Sequence, residues 1–259
     1  MDWIRFISRY FKHIITARNT KGFGVHSPFI YQFVRFVLYE KYYFYSFTAI
    51  ENIRKKLKTD KRIIDIQDFG TGYDRKETIG RIARNSLKSK KYGRLFFRII
   101  NYYKFKQVLE LGTSLGITTC YLASSSNRIN CISLEGSSGI ADIAQENFKT
   151  LGLNNIRTVV GNIDNTLNVV LNEISELDFV FFDANHQSVA VLNYIEKCLQ
   201  KTHQNSIFVI DDIHWSKDME TAWEAIKKNP EVTTTIDLFQ LGIVFFNKDL
   251  SKKHYKMRF

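Results

Sequence analysis

The sequence predicts an α/β fold on an open, doubly wound sheet of seven strands, and three observations carry that expectation. From residue 107 onward, short and nearly continuous apolar runs alternate with segments of helical period. Such runs read as parallel strands buried on both faces, with a helix in each crossover. The last two runs, "VTTTIDLF" and "GIVFFN", are joined only through Gln240, Leu241 and Gly242, too short for a parallel crossover, so they must form an antiparallel hairpin. Residues 1–106 lack the alternation and read as mostly helical.

Taken in order, residues 3–15 place Trp3, Ile7, Tyr10, Phe11 and Ile14 at helical spacing with Arg5, Arg9 and Lys12 between them, a basic amphipathic helix. "GFGVHSPF" breaks the chain, and "IYQFVRFVLYEKYYFYSF" returns to a helical, aromatic pattern. Further helical stretches run through Ile79, Ile82, Ala83 and Leu87, and through Leu95, Ile99 and Tyr103. The five parallel strands are "QVLELG", "INCISLE", "IRTVVGN", "LDFVFFD" and "SIFVIDDI". Helical segments separate them, and "DMETAWEAIKK", with Met219, Ala222, Trp223 and Ile226 on one stripe, precedes the hairpin. The organisation expected is a basic, aromatic N-terminal extension over 1–106 and a ligand-binding domain over 107–259.

At 259 residues and 44% hydrophobic content the chain can bury a full core and is not disordered. No apolar run reaches the ~18 residues of a membrane span, and charge interrupts the N-terminus too often for a secretory signal. Cys120, Cys131 and Cys198 are odd in number and match no zinc or redox spacing. They read as buried thiols of a cytoplasmic protein. The net charge of +11 is uneven: residues 1–106 carry 24 Lys+Arg against 8 Asp+Glu, and residues 107–259 carry 13 against 18. The basic half either faces an anionic partner, such as nucleic acid, a phosphorylated substrate or a lipid surface, or solvates its own helices.

Two stretches compete for the role of cofactor loop. A strand must end in small residues that let backbone N–H groups approach a ligand, a helix must follow, and a second strand must end in an acid about 20 residues on. "VLELGTSLGITTCYLA" meets each condition: Gly112 and Gly116 bracket Thr113, Ser114 and Leu115, and the next strand ends in Glu135, 25 residues after Glu110. "IQDFGTGYDRKE" fails downstream, because the position 25 beyond Asp68 is Gly93, inside a helical segment. Gly70 and Gly72 then read as a turn that leads from the N-terminal helices to the core. The pattern E-x-G-x-x-x-G is neither the nicotinamide fingerprint nor a phosphate-binding P-loop.

With "LELGTSLGITT", "SLEGSSGIADIAQENF", "VVGNIDNTL", "DFVFFDANH" and "FVIDDIHW" in this order, residues 107–247 resemble a class I S-adenosylmethionine-dependent methyltransferase with its Rossmann-like sheet. They are most similar to the catechol O-methyltransferase-like, metal-dependent small-molecule branch. The resemblance implies that Glu110 and Gly112 shape the floor of the methionine pocket. It implies close backbone contacts from Thr113, Ser114 and Gly116, and a Thr118 hydroxyl for the cofactor carboxylate. Glu135 would take the ribose hydroxyls, and Asn162, with Asp164 close behind, would lie beside the adenine. The residues alone leave plainer readings open: Thr118 as a helix cap and Asn162 as a strand end.

Asp183 ends the fourth strand and Asp211-Asp212 end the fifth, so all three fall at the carboxyl edge where open sheets bind ligands. Carboxylates gathered there repel unless a cation sits among them, and Mg²⁺ or a related divalent ion fits. The resemblance implies one metal held by Asp183, Asp211 and Asp212, with an acid at Asp212 where the family has an amide. It places His186 at the family's proton acceptor, with His214 as the rival base and Trp215 as part of the acceptor wall. Against this stand Asp183 and Asp211 as helix caps, Asp212 as a lysine's partner, and the histidines as ordinary loop residues.

The expected activity is methylation of a small hydroxylated or anionic acceptor. An RNA methyltransferase using the basic half is the alternative, although neither a [DNS]-P-P-[YFW] tetrapeptide nor a Pro-Cys pair is present. A non-catalytic membrane-surface or adaptor protein anchored through residues 1–20 is a further one. A homodimer is left open.

Overall fold

The computed structural model describes residues 3–67 and 74–259. By its internal contacts the chain divides into two compact units, residues 1–40 with 174–259, and residues 41–173. The first unit opens with α1 (Trp3–Thr16), a 3-10 turn at Thr20–Gly22, α2 (Pro28–Phe33) and a π-helical turn at Val34–Leu38. The second contains α3 (Tyr45–Thr59), β1 (Ile63–Ile66), β2 (Arg75–Thr78), α4 (Ile79–Asn85) and α5 (Lys90–Tyr103). It continues through β3 (Gln107–Leu111), α6 (Ile117–Ala123), β4 (Asn130–Glu135), α7 (Ser138–Thr150), β5 (Ile156–Val160) and α8 (Ile163–Glu173). The first unit resumes with β6 (Leu177–Phe182), α9 (Ser188–Leu199), β7 (Thr202–Asp211), α10 (Lys217–Lys228), β8 (Thr234–Asp237), β9 (Leu241–Phe245) and β10 (Lys253–Lys256).

The fold is α/β, on a mostly parallel sheet in the order β10-β8-β9-β7-β6-β3-β4-β5. The five parallel strands and the terminal hairpin fall where the sequence predicts them, with β9 antiparallel to both β7 and β8. Among the described residues this sheet has eight strands rather than seven, because "KHYK" adds β10 parallel to β8. Only Tyr255 of that strand is buried, so it lacks the apolar run that reveals the others. In the hairpin, Gly242 lies flat under the indole of Trp223, where a Cβ would come within 2.5 Å of the ring.

The N-terminal hundred residues depart from the helical expectation in three places. A second sheet, β1 paired antiparallel with β2, interrupts the helices; Gly70 and Gly72 between these strands lie outside the described residues. The aromatic stretch is not one helix: α2 starts at Pro28, capped by the Ser27 hydroxyl, and the chain is irregular from Tyr39 to Phe44. A proline at the first helical position suits that start, since its missing N–H is an orphan there anyway. In α1 the packed face is Phe6, Arg9 and His13, whereas Ile7, Phe11 and Ile15 are at least half exposed. No helix among the described residues is long and apolar enough to cross a membrane.

The core of the second unit joins α3, α4, α5, α6 and α7 through Phe47, Phe97, Tyr121 and Phe148, among others. Phe47 meets Phe97 and Tyr121 edge-on or tilted, at 5.0 and 5.5 Å between centroids, a geometry that aromatic quadrupoles favour. Burial of each such ring contributes about 2–3 kcal/mol. Gly93 of α5 is required by the same packing, because a Cβ there would come within 2.4 Å of the Tyr121 ring. This core holds α6 and α7, the two helices that flank the glycine loop.

Candidate functional site

In the second unit, strand β3 delivers its chain into a loop that turns three times through left-handed backbone: Gly112 at φ 101°, Ser114 at φ 48° and Gly116 at φ 77°. Glycine takes such values without strain. The N–H groups of Gly112 and Thr113 both donate to the Leu134 carbonyl of β4, at 2.9 and 3.1 Å. At Gly116 there is also no room for a side chain, since a Cβ would lie 2.6 Å from the Phe148 ring and 2.9 Å from Ala144. The loop is thus pinned to β4 on one side and to α7 on the other.

Beneath the loop, Glu110 is fully buried in mid-sheet. One oxygen, Oε2, accepts hydrogen bonds from Thr119 at 2.5 Å and Ser133 at 2.6 Å. Ser133 is in turn within 2.6 Å of the Thr113 hydroxyl. The other oxygen, Oε1, is buried without a hydrogen-bond partner. Burial pushes the Glu110 carboxyl up to about 8, against the lowering effect of the two hydroxyls. A buried polar atom left unpaired costs about 1–3 kcal/mol, so its presence marks a place where a further group belongs.

Glu135 ends β4 as predicted. Its Oε2 accepts the Ser114 N–H at 2.8 Å and its Oε1 the Ser137 N–H at 3.0 Å. Burial raises its pKa, partly offset by the amides of Ser137, Ser114 and Gly136. A carboxylate has about four acceptor sites, so these three amides leave it able to take a further hydroxyl. Thr118 is buried on the first turn of α6, whose cap position is Gly116 rather than the threonine. Asn162 does more than end a strand: its Oδ1 accepts the Asp164 N–H at 2.9 Å and shapes the start of α8, with Asp164 exposed.

In the first unit, Asp183, His186 and Asp211 bring one donor atom each to within 4.8 Å of one another. Asp211 is buried, and His186 Nε2 lies 3.9 Å from Asp183 Oδ1. Neither aspartate caps the helix that follows. The cap of α10 is the Ser216 hydroxyl, and α9 starts after Gln187 with the Ser188 N–H on Asp218. Asp212 is not in this converging set among the described residues. It adopts left-handed backbone at φ 52° and its carbonyl accepts the Trp215 N–H at 2.9 Å, a turn that separates it from its neighbour Asp211. Trp215 is half exposed and meets Phe6 of α1 at 6.2 Å.

His214 stands apart from that set. Its Nδ1 bonds Glu220 at 3.1 Å, its Nε2 bonds Asp237 at 2.9 Å, and its ring stacks on Phe239. Burial lowers its pKa, but the bonds and charges of Asp237 and Glu220 outweigh burial and leave it raised. Both of its nitrogens thus face carboxylates of the same unit.

Residues 109–213, from the middle of β3 to just past β7, match the family model of a methyltransferase domain. Over those residues the chain is similar to methyltransferase domains. Its fold is that of solved class I enzymes. The O-methyltransferase from Bacillus cereus, solved with SAH, is 20% identical, with 83% of this chain and 96% of that one aligned and a TM-score of 0.58. The putative caffeoyl-CoA O-methyltransferase from Staphylococcus aureus is 18% identical over 64% and 88%, at 0.57. The O-methyltransferase TomG from Streptomyces achromogenes, in complex with SAM, is 18% identical over 62% and 81%, at 0.55. No curated protein sequence matches the chain.

Sequence reasoning missed Thr119 and Ser133, the two hydroxyls that hold Glu110. Ser133 had a signal, a polar residue in the middle of the apolar run "INCISLE". It also missed the support behind Glu135. The Ser137 hydroxyl accepts the Gln67 N–H at 3.3 Å, and Gly139 on α7 packs so closely on β1 that a Cβ would lie 2.5 Å from the Asp65 carbonyl oxygen. The β1–β2 hairpin therefore buttresses the acid-ending strand.

Proposed function

We propose that this protein is a methyltransferase that uses S-adenosylmethionine to methylate an oxygen of a small hydroxylated acceptor, with a divalent ion assisting. The observation that carries the cofactor is Glu135, held at the end of β4 by the amides of Ser114 and Ser137 with acceptor capacity left for a ribose hydroxyl. The residues fit the rest of the molecule as well. The orphaned Oε1 of Glu110 lies under a loop whose glycines leave no side chain in the way. Glu110 and Gly112 would then floor the methionine end, with Thr113, Ser114 and Gly116 offering backbone contacts and Thr118 a hydroxyl. Asn162 and Asp164 would flank the base. When bound, such a cofactor supplies an electrophilic methyl on a sulfonium.

For the ion, the donors that converge are Asp183, His186 and Asp211, not the three aspartates. Two carboxylates and an imidazole suit Mn²⁺ or a similar borderline ion better than Mg²⁺, which prefers oxygen ligands alone. An ion there would lower the pKa of an acceptor hydroxyl. His186 is assigned to the ion rather than to the proton because its Nε2 lies 3.9 Å from Asp183, itself a ligand. The similar solved O-methyltransferases bound to SAM or SAH support the reading of cofactor and acceptor.

Transfer of a labelled methyl group to a panel of catechols and other hydroxylated small molecules tests it, with Mn²⁺, Mg²⁺ or EDTA present. Metal-stimulated transfer that Glu135→Ala abolishes is expected. Transfer to RNA but to no small molecule would contradict the acceptor, and full activity in EDTA would contradict the ion.

A further inference from the structure

We propose that His13, His214 and Asp237 form a second metal site, for a borderline transition-metal ion of the Zn²⁺ class, distinct from the acidic set at Asp183 and Asp211. The three residues come from α1, from the turn after β7 and from the end of β8, all within one unit. One donor atom from each lies within 4.8 Å of the other two. The imidazole rings of His13 and His214 are 6.2 Å apart between centroids, inclined at 63°.

The tautomer of His13 is the main argument. Its Nε2 is 3.0 Å from the Met257 carbonyl, and a carbonyl only accepts, so Nε2 carries a hydrogen. In the neutral ring Nδ1 is then a lone pair. That atom is buried without a hydrogen-bond partner, and its nearest charged neighbour is the carboxylate oxygen Asp237 Oδ1 at 3.4 Å. Protonation would relieve the facing lone pairs, but burial pushes the pKa of His13 down. A cation shared by Nδ1 and the carboxylate removes the conflict without protonating the ring.

The surroundings match what metal-bound histidines need. Such rings almost always give their second nitrogen to a carboxylate or a backbone carbonyl, which fixes orientation and raises basicity. His13 has the Met257 carbonyl, and His214 has Glu220 on Nδ1 while its Nε2 faces Asp237. Glu220 is itself steadied by Arg9 at 3.4 Å. Phe239 lies against both rings, and Tyr10 against Phe239, an apolar wall that limits water. Two nitrogens and a carboxylate select Zn²⁺, Co²⁺ or Ni²⁺ over Mg²⁺ or Ca²⁺, with water in the remaining position. A bound ion would fasten α1 to the end of the hairpin, closing a chain segment of more than two hundred residues.

The test uses the full chain carrying Asp183→Ala and Asp211→Asn, which silences the acidic set. After removal of metal with EDTA, this protein should take up about one Zn²⁺ per chain, read by calorimetry and elemental analysis. X-ray absorption should show only nitrogen and oxygen ligands, with two imidazoles. Adding His13→Gln or Asp237→Asn should abolish uptake, and Glu220→Gln should weaken it about tenfold or more, with folding checked by circular dichroism. Zn²⁺ should raise the melting temperature of the parent but not of the His13→Gln protein. Uptake that survives His13→Gln, or no uptake by the parent protein, would overturn the site. If His13→Gln does not fold, the imidazole count in the parent decides: two supports the site, and one or none refutes it.

Discussion

Glu110 and Ser133 stand directly opposite each other on the paired strands β3 and β4, and the serine hydroxyl donates to Glu110 Oε2 at 2.6 Å. This cross-strand bond, with Thr119 on the same oxygen, fixes which oxygen of a fully buried carboxyl faces the protein and which is left over.

The first expectation concerns pH. Burial holds the folded Glu110 carboxyl near 8, against an ordinary value of 4.5. The folded state therefore binds a proton that the unfolded chain has lost, and stability falls as pH rises from 4.5 through 8. Glu110→Gln, which mimics the neutral acid, should remove this slope. In the cofactor-free protein, melting temperatures followed from pH 5 to 9 should show the wild type losing ground to the variant. Parallel curves would contradict the buried, raised carboxyl.

A second expectation concerns Gly116. An alanine there combines left-handed backbone with a Cβ 2.6 Å from Phe148, which should cost about 1–3 kcal/mol. Denaturant titration of Gly116→Ala should show that loss, and cofactor affinity should fall with it because the loop must shift.

A third expectation tests the buttress. Gly139→Ala would press on the Asp65 carbonyl at 2.5 Å and should destabilise the packing of β1 on α7 by about 1–3 kcal/mol. Limited proteolysis should then cut within β1 or β2 faster than in the wild type, while strands β3 to β5 stay protected. Unchanged cleavage would show that the hairpin is held by something else.

Much of this was legible in the sequence because burial leaves a strong trace. The five parallel strands are apolar runs, Glu135 breaks one of them at its end, and Gly112 and Gly116 fall where a strand must become a helix. What stayed hidden rests on contacts between distant segments. β1 and β2 pair through "IIDI" and "RKET", four residues each with only Ile66 buried, too short and too exposed for a hydrophobic period to mark them. The inward face of α1 is set by Phe239 against Phe6 and Tyr10, and the more apolar stripe of Ile7 and Phe11 stays outside. Asp212 looked equivalent to Asp211 until its left-handed backbone separated the two. The partners of His214, at residues 220 and 237, likewise need the fold to reach it.

A fourth expectation concerns the ion. With Asp183, His186 and Asp211 as donors, Asp211→Asn should lower metal-stimulated methyl transfer by about tenfold or more, and Asp212→Asn should have a smaller effect. Equal losses would restore Asp212 to the ligand set.

The central claim is that the loop from Gly112 to Gly116 and the carboxylate of Glu135 hold S-adenosylmethionine, and calorimetric titration of the cofactor into wild type and Glu135→Ala tests it most directly. One cofactor per wild-type chain is expected, with affinity in the variant reduced by about tenfold or more for a lost charge-assisted hydrogen bond. No heat of binding in the folded wild type, or equal affinity in the two proteins, would contradict it.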